Sequence, residues 1–193
     1  MEPDVRFCPR CGRELVMQNL GGHARPSCLN CGYIFFGAYS LGVGGLVVKD
    51  RQILLVKRNQ EPGLGRWTIP GGYAEQSETF DLAAVREVQE ETGVYTRVLG
   101  LVAVRDQVRA ADNNLYAVFA LEPLAGVPCA DGIEVAEARY FAEEELAILE
   151  NLSPFTRWLA QAALAGSLTV FRSFTLPPFS GSGWVVYADV AGG

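Results

Sequence analysis

Residues 72–94 read GYAEQSETFDLAAVREVQEETGV, a run that joins a glycine turn, a capped helix and a row of carboxylates. Local chemistry places the helix. Ser77 suits the N-cap, Glu78 and Asp81 put negative charge in the first turn, and Gly93 suits the left-handed residue that closes the last turn, so the helix is expected over residues 78–92. Leu82, Val85 and Val88, with Ala84, recur at three- and four-residue spacing and form the expected buried stripe. Glu87, Glu90 and Glu91 fall at i, i+3 and i+4 on a neighbouring face.

Like charges at that spacing repel, so either water screens them or a cation offsets them. Oxygen ligands with no His or Cys nearby suit a hard ion such as magnesium or manganese. Three glutamates alone would also fit an ordinary solvated acidic face. The whole stretch, however, resembles the Nudix box, whose pattern of glycine, glutamate, Arg-Glu, Glu-Glu and glycine is filled by Gly72, Glu78, Arg86, Glu87, Val88, Glu90, Glu91, Gly93 and Val94. The Gly71-Gly72 turn after a strand-like run supplies the loop and helix context that such a motif needs.

Upstream, Cys8-Pro-Arg-Cys11-Gly and Cys28-Leu-Asn-Cys31-Gly are separated by 16 residues, the spacing of a four-cysteine zinc ribbon. Two disulfides would fit poorly with a sequence that opens on no export signal, and four free thiols leave the paired spacing unexplained. Cys8, Cys11, Cys28 and Cys31 fill a tetrahedron, so the zinc is expected to be structural, and His23 is read as a loop residue. With a single histidine in the chain, no Ser-His-Asp or Cys-His machinery can be built around the box. Cys129 is expected to be a small buried or half-buried thiol.

With 193 residues and 49% hydrophobic content the chain can bury one domain core and carry a small appendage. A net charge of −6 argues against a polynucleotide partner, which would need a positive footprint. The uncharged run 33–48 is too short, and too rich in glycine, for a bilayer span, and reads as strand, turn and strand. A cytoplasmic location is the expectation.

Residues 41–48 and 53–57 read as a strand hairpin joined by Lys49-Asp50-Arg51-Gln52, with further strands over 97–108, 114–121 and 138–141. The Gly- and Pro-rich loop 58–72 is a candidate wall of the cleft, with Arg58, Trp67, Gly71 and Gly72 as substrate-side candidates. Glu143-Glu144-Glu145 reads as the first turn of a helix. Ser153 and Pro154 open another, with Phe155, Trp158, Leu159 and Ala162 as its inner stripe. The tail 167–193 holds apolar residues including Phe171, Phe174, Phe179, Trp184 and Tyr187 and fits two more extended segments, packed on the ribbon or on a second subunit, which leaves a homodimer open.

The likeness to Nudix hydrolases implies an α+β architecture: an α/β/α sandwich with a mixed sheet over residues 37–166, preceded by the ribbon at 1–36. Ribbon and box together resemble the zinc-ribbon branch, which includes NADH pyrophosphatases and the smaller FAD and ADP-ribose pyrophosphatases. Departures are Gly37-Ala38-Tyr39, where relatives often carry Asn-Pro, and the lack of the Ser-Gln-Pro-Trp-Pro-Phe-Pro run of the NADH-cleaving group. The resemblance implies that Glu87, Glu90 and Glu91 hold magnesium or manganese, and that the enzyme cleaves the phosphoanhydride of a nucleoside diphosphate linked to another moiety. It also implies that Arg86 pairs with Glu78, and that the general base is one of Glu91, Glu134 and Glu137. Trp67, Phe35 and Phe36 are the candidates for stacking the base, and each reads equally as a core side chain. A nucleoside-triphosphate sanitising enzyme and a non-catalytic nucleotide sensor are the competing expectations.

Overall fold

The computed structural model describes residues 5–108, 113–174 and 185–189. They fall into two compact units, one within residues 1–40 and 107–114 and the other within residues 41–106 and 115–193. The expected ribbon boundary at residue 36 lies four residues short of the first unit's boundary at Ser40, and the tail belongs to the second unit.

In the first unit, β1 (Val16–Leu20) and β2 (His23–Ser27) pair antiparallel. Leu20 faces His23, leaving Gly21 and Gly22 as a two-residue turn at φ 61° and 82°, the left-handed backbone that matches the twist of a hairpin. His23 is exposed at that turn. On either side of the hairpin the two cysteine pairs fold alike. The Gly12 and Gly32 N–H groups donate to the Cys8 and Cys28 carbonyls, at 2.9 and 3.0 Å, and both glycines are left-handed.

In the second unit, β3 (Tyr39–Lys49) and β4 (Gln52–Arg58) form the expected hairpin with longer arms. Val48 faces Ile53 and Lys49 faces Gln52, so the turn shrinks to Asp50 and Arg51, both left-handed. The strand, turn and strand expected over 33–48 are replaced by the single run of β3. β5 (Trp67–Thr68) and β6 (Gly71–Tyr73) lie in what reads as a loop, and β7 (Tyr95–Val108), β8 (Asn113–Ala125) and β9 (Val135–Ala142) complete the set. Seven strands among the described residues form one sheet in the order β5-β4-β3-β8-β7, with β6 on β3 and β9 on β4.

Alternation along these strands separates two cores. Ile53 and Leu55 of β4, Leu46 of β3 and Val118 of β8 face one way, with Trp67, Phe141 and helix α3 (Pro154–Leu164). Leu54, Val43, Val47, Ala117 and Phe119 face the other way, toward helix α1 (Phe80–Thr92). The short helix α2 (Glu143–Ile148) starts at the three glutamates and buries Leu146 in the first of these cores. The result is the expected sandwich of helices on both faces of a sheet.

Several local expectations need correction. Helix α1 begins two residues late: Thr79 is its N-cap, Ser77 sits at φ 78° in the preceding turn, and Glu78 is a loop residue. Its inner face is Ala83, Ala84, Val88, Glu87 and Glu91, whereas Leu82 is 57% exposed. The sheet opposite is glycine at Gly45, where a β-carbon would collide with Val88, so the helix lies close enough that alanine fits and leucine does not. In α3, Leu159, Ala160 and Thr156 are buried, while Trp158 is exposed. Cys129 is exposed as well.

In the tail, β10 (Arg172–Phe174) pairs with β11 (Val186–Ala188), and Phe171 and Leu101 exchange backbone hydrogen bonds of 2.8 Å. The tail therefore packs on β7 of its own unit, where Gly100 leaves room for the Phe171 carbonyl, and on Phe119 through Tyr187. Phe179 and Trp184 lie outside the described residues.

Candidate active site

The site is built around Arg86. Its guanidinium makes a two-toothed contact with the Glu78 carboxylate (Nη2 to Oε1 2.7 Å, Nε to Oε2 3.1 Å), donates from Nη1 to Glu87 Oε1 at 2.8 Å and Glu90 Oε2 at 2.9 Å, and reaches the Tyr73 carbonyl at 3.1 Å. Fork geometry of this kind fixes both position and orientation. Glu78 also accepts the Glu75 N–H at 2.8 Å, so one arginine pins the turn that precedes α1 to the middle of the helix. The hydrogen bonds from Arg86 hold the Glu78 carboxyl below its ordinary range.

Glu87 and Glu91 lie one turn apart on the side of α1 that meets β6. Both are nearly buried, at 9% and 6% exposure, while Glu90 stays in solvent. Glu91 accepts the Gly71 N–H at 2.8 Å. The approach is close enough that a β-carbon on Gly72 would come within 2.6 Å of Glu87 Oε2, and one on Gly71 within 2.6 Å of the Tyr116 hydroxyl. Glycine at both positions is thus a steric requirement of the site as well as a turn signal. Burial raises the Glu91 carboxyl to about 8 and pushes Glu87 up too, in the second case against the pull of Arg86. Two carboxyls crowded against backbone, each raised by burial, would have their charged forms favoured by an added cation.

Among the other candidates, the structure brings Glu134 and Arg58 toward this cluster. The Glu134 charge acts on both Glu87 and Glu91, and the Arg58 charge acts on Glu91 in the opposite sense. Asp131 builds the turn that carries Glu134, accepting the Ile133 and Val135 N–H groups at 2.9 Å, and the Glu134 carbonyl accepts from Asn59 N–H at 2.8 Å. Glu137 goes elsewhere: its carboxylate pairs with Lys57 across β4 and β9 at 2.7 Å. Trp67 is 7% exposed with its ring edge-on to Phe141 at 4.8 Å, so the indole is a core element with no open face for a base. Phe36 is exposed in the first unit under the Arg25 guanidinium, and Phe35 is held there by a backbone bond to Pro26.

Tyr116 was not legible in the sequence. Its hydroxyl lies against the Gly71 turn, Arg105 stands over its ring at 5.0 Å, and burial, with Glu91 adding to it, keeps the phenol protonated. A Tyr within an alternating strand carries no signal of this; the contact arises because Gly42 and Gly44 of the neighbouring strand leave it room.

One group of side chains among the described residues is placed to hold a metal ion. Cys8, Cys11, Cys28 and Cys31 place four sulfurs within 4.8 Å of one another, with Cys8 to Cys31 and Cys11 to Cys28 at 3.5 Å. The sulfur edge of a zinc tetrahedron at Zn–S ≈ 2.3 Å is about 3.8 Å, so the cage is nearly the right size. The backbone N–H of Arg13 lowers the Cys11 thiol to about 6, while Cys31, against the pull of the Tyr33 backbone N–H, is pushed up to about 12 by burial and the neighbouring thiols, the split expected of crowded thiols that share charge without a metal. The glutamates are all-oxygen donors. Each of Glu87, Glu90 and Glu91 keeps one oxygen that accepts no hydrogen bond among the described residues, the other being tied to Arg86 or Gly71. Oxygen donors of this kind suit a hard cation such as magnesium or manganese, but here the carboxylates are tied to Arg86 and Gly71 and do not converge as the four sulfurs do.

Comparison with known proteins gives the family. A family model described as the NUDIX domain matches residues 38–161. The ADP-ribose pyrophosphatase of Methanocaldococcus jannaschii is 33% identical over 103 residues, covering 53% of this chain and 61% of that protein. The NAD-capped RNA hydrolase NudC of Vibrio parahaemolyticus is 24% identical over 169 residues, 88% of this chain and 63% of that one. The chain thus spans under two thirds of the length of these relatives. The crystal structure of a NUDIX hydrolase from Nitrosomonas europaea superposes with a TM-score of 0.68 at 27% identity, covering 83% of this chain and 91% of that structure.

Proposed function

The chain belongs to the NUDIX family, and from that premise we propose that it is a divalent-metal-dependent pyrophosphohydrolase. It cleaves the phosphoanhydride of a nucleoside diphosphate linked to another moiety, of the ADP-ribose, FAD or NADH type, to AMP and a second monophosphate. The observation that carries this reading is the placement of Glu87 and Glu91, buried and raised in pKa, against the Gly71-Gly72 turn, with Arg86 anchoring the assembly.

Glu87, Glu90 and Glu91 would hold magnesium or manganese, which would supply positive charge for the diphosphate and make the attacking water more acidic. The chain's own residues do the rest. Arg86 and Glu78 orient the carboxylates without touching substrate, Arg58 adds positive charge on the Glu91 side, and Glu134, near both buried acids, takes the proton from the attacking water. Tyr116, protonated at the Gly71 turn, holds that turn in place. The cysteine cage holds structural zinc, the substrate is a small nucleotide, and the enzyme is cytoplasmic. No helix among the described residues is long and apolar enough to cross a membrane.

Support for an ADP-linked substrate comes from the two relatives, named for ADP-ribose and for NAD-capped RNA, since both names denote an adenosine diphosphate joined to something else. The test is a panel of FAD, NADH, NAD⁺, ADP-ribose and dGTP with magnesium or manganese. AMP from the conjugates is the expected result; pyrophosphate from dGTP with no AMP from any conjugate would move the reading to a triphosphate sanitising enzyme.

A further inference from the structure

Asn59 and Gln60 stand where the chain leaves β4, and between them they hold the carbonyls of Gly132, Ile133 and Glu134. The Asn59 N–H donates to the Glu134 carbonyl at 2.8 Å. Its side-chain amide donates to the Gly132 carbonyl at 3.3 Å and to the Ile133 carbonyl at 3.2 Å, and the Gln60 amide also donates to Ile133, at 3.2 Å. From the other side Asp131 takes the N–H groups of the same turn, those of Ile133 and Val135 at 2.9 Å and that of Glu134 at 3.1 Å. Lys57 faces Glu137, so regular pairing would set Ala136 opposite Arg58; instead Arg58 faces Val135. The one-residue bulge brings Glu134, rather than Val135, beside Asn59. Apolar packing does not place this turn, since Ile133 is 69% exposed and Val135 is the first buried side chain after it.

We propose that Asn59, assisted by Gln60, is a positioning residue for Glu134: the two amides fix the turn from which the Glu134 carboxylate takes the proton of the attacking water. The inference rests on the pyrophosphohydrolase reading and adds to it the groups that keep the proton acceptor in place. In that step the water oxygen bonds to phosphorus, the phosphoanhydride P–O bond breaks, and one proton passes to Glu134, while Asn59 neither gains nor loses one. A turn with no buried side chain has only its hydrogen bonds to locate it, and a catalytic group displaced by about 1 Å can cost about a hundredfold in rate. The Glu134 carboxylate makes no hydrogen bond or ion pair among the described residues, and its charge acts on Glu87 and Glu91. Glu137, on the far side of the bulge, is tied to Lys57 at 2.7 Å, so of these two acids Glu134 is the one available to water. The clamp is made of neutral amides and backbone, which hold the turn without binding a cation to the carboxylate.

The experiment is a double-mutant cycle on ADP-ribose with magnesium, using Asn59→Ala, Glu134→Gln and the two combined, with Gln60→Ala as a milder second variant. In Asn59→Ala kcat is expected to fall about 10–100-fold with KM within about twofold, and in Gln60→Ala by a smaller factor in the same direction. In the Glu134→Gln background Asn59→Ala is expected to cost nothing further, because the group it positions is already gone. Amide hydrogen exchange gives a readout that needs no catalysis: the N–H groups of residues 132–135 are expected to exchange at least about tenfold faster in Asn59→Ala, with α1 as protected as in wild type. That result supports the clamp even if wild type hydrolyses no conjugate, an outcome that would sink the reaction reading alone. Unchanged exchange in Asn59→Ala overturns the clamp even with hydrolysis intact. Wild-type kcat in Asn59→Ala, or the same fold loss with and without Glu134, overturns the positioning role. Asn59 and Gln60 are both exposed, so the variants are expected to keep the wild-type melting temperature.

Discussion

Replacing Glu91 by Gln keeps the side-chain volume and an oxygen to accept the Gly71 N–H, and removes a charge that burial disfavours. Burial, reinforced by the charges of Glu87 and Glu134, raises this carboxyl from 4.5 to about 8. Below pH ~4.5 the group is protonated in both folded and unfolded chains and costs nothing. As pH climbs, the unfolded chain releases the proton while the fold retains it, so this group's contribution to stability declines until pH passes about 8. At ~1.4 kcal/mol per pH unit the metal-free wild type loses on the order of 4 kcal/mol across that window, reduced to about 2 once relaxation and water entry are allowed for. For a chain of this size each kcal/mol moves the melting temperature by roughly 2–4 °C. In chelator, Glu91→Gln is therefore expected to melt at least about 4 °C above wild type near pH 8 and level with it near pH 4.5. Magnesium is expected to reverse that order by stabilising only the wild type, and kcat of the variant to fall by orders of magnitude with the fold intact. Differential scanning calorimetry at both pH values, with and without magnesium, reads all of this. A variant that melts below wild type in chelator at every pH would refute the buried-charge reasoning.

The remaining expectations follow from single contacts. One zinc per chain should survive purification without added metal, and Cys8→Ser or Cys31→Ser should release it and disorder the ribbon; elemental analysis that finds no zinc contradicts the cage. Gly72→Ala puts a methyl group 2.6 Å from Glu87 Oε2, so kcat should drop at least tenfold while a purified, folded protein is still obtained; unchanged turnover would mean that the close approach has no role. Trp67→Ala should cost about 3–5 kcal/mol in urea denaturation, and Trp67→Phe far less with KM unmoved; a raised KM in the Phe variant would return Trp67 to the substrate cleft.

Where a feature depends on neighbours in sequence, it could be read before the structure. Gly93 ends α1 in the left-handed conformation with its N–H on the Gln89 carbonyl, Pro154 opens α3, and the cysteine pairs fold as matched knuckles, because caps, first-turn prolines and knuckles are closed by residues a few positions apart. Where a feature depends on distant partners, local chemistry misled. Glu78 looked like a first-turn helix residue because acids favour that position, yet Arg86, eight residues on, holds it in the turn. Leu82 matched the helical period, but how near α1 lies to the sheet is decided by Gly45 in another strand. The two readings open for Trp67 and the inward reading of Trp158 were decided in the same way: a sequence shows an indole, and only the packing of β9 and α3 decides which one faces Phe141 and which faces water. Tyr116 gave no signal at all, since its place at the site is made by glycines on β3 and by the turn at Gly71.

The central claim, that the buried carboxylates serve hydrolysis of a nucleoside diphosphate conjugate, is tested most directly by running the magnesium-activated reaction on ADP-ribose in ¹⁸O-water and analysing the products by mass spectrometry. The account predicts AMP and ribose 5-phosphate in equal amounts, with one ¹⁸O in one of the two monophosphates and none in the other, and no such products from Glu91→Gln. Orthophosphate as the released product, or label-free AMP and ribose 5-phosphate, or equal turnover in Glu91→Gln, would contradict it.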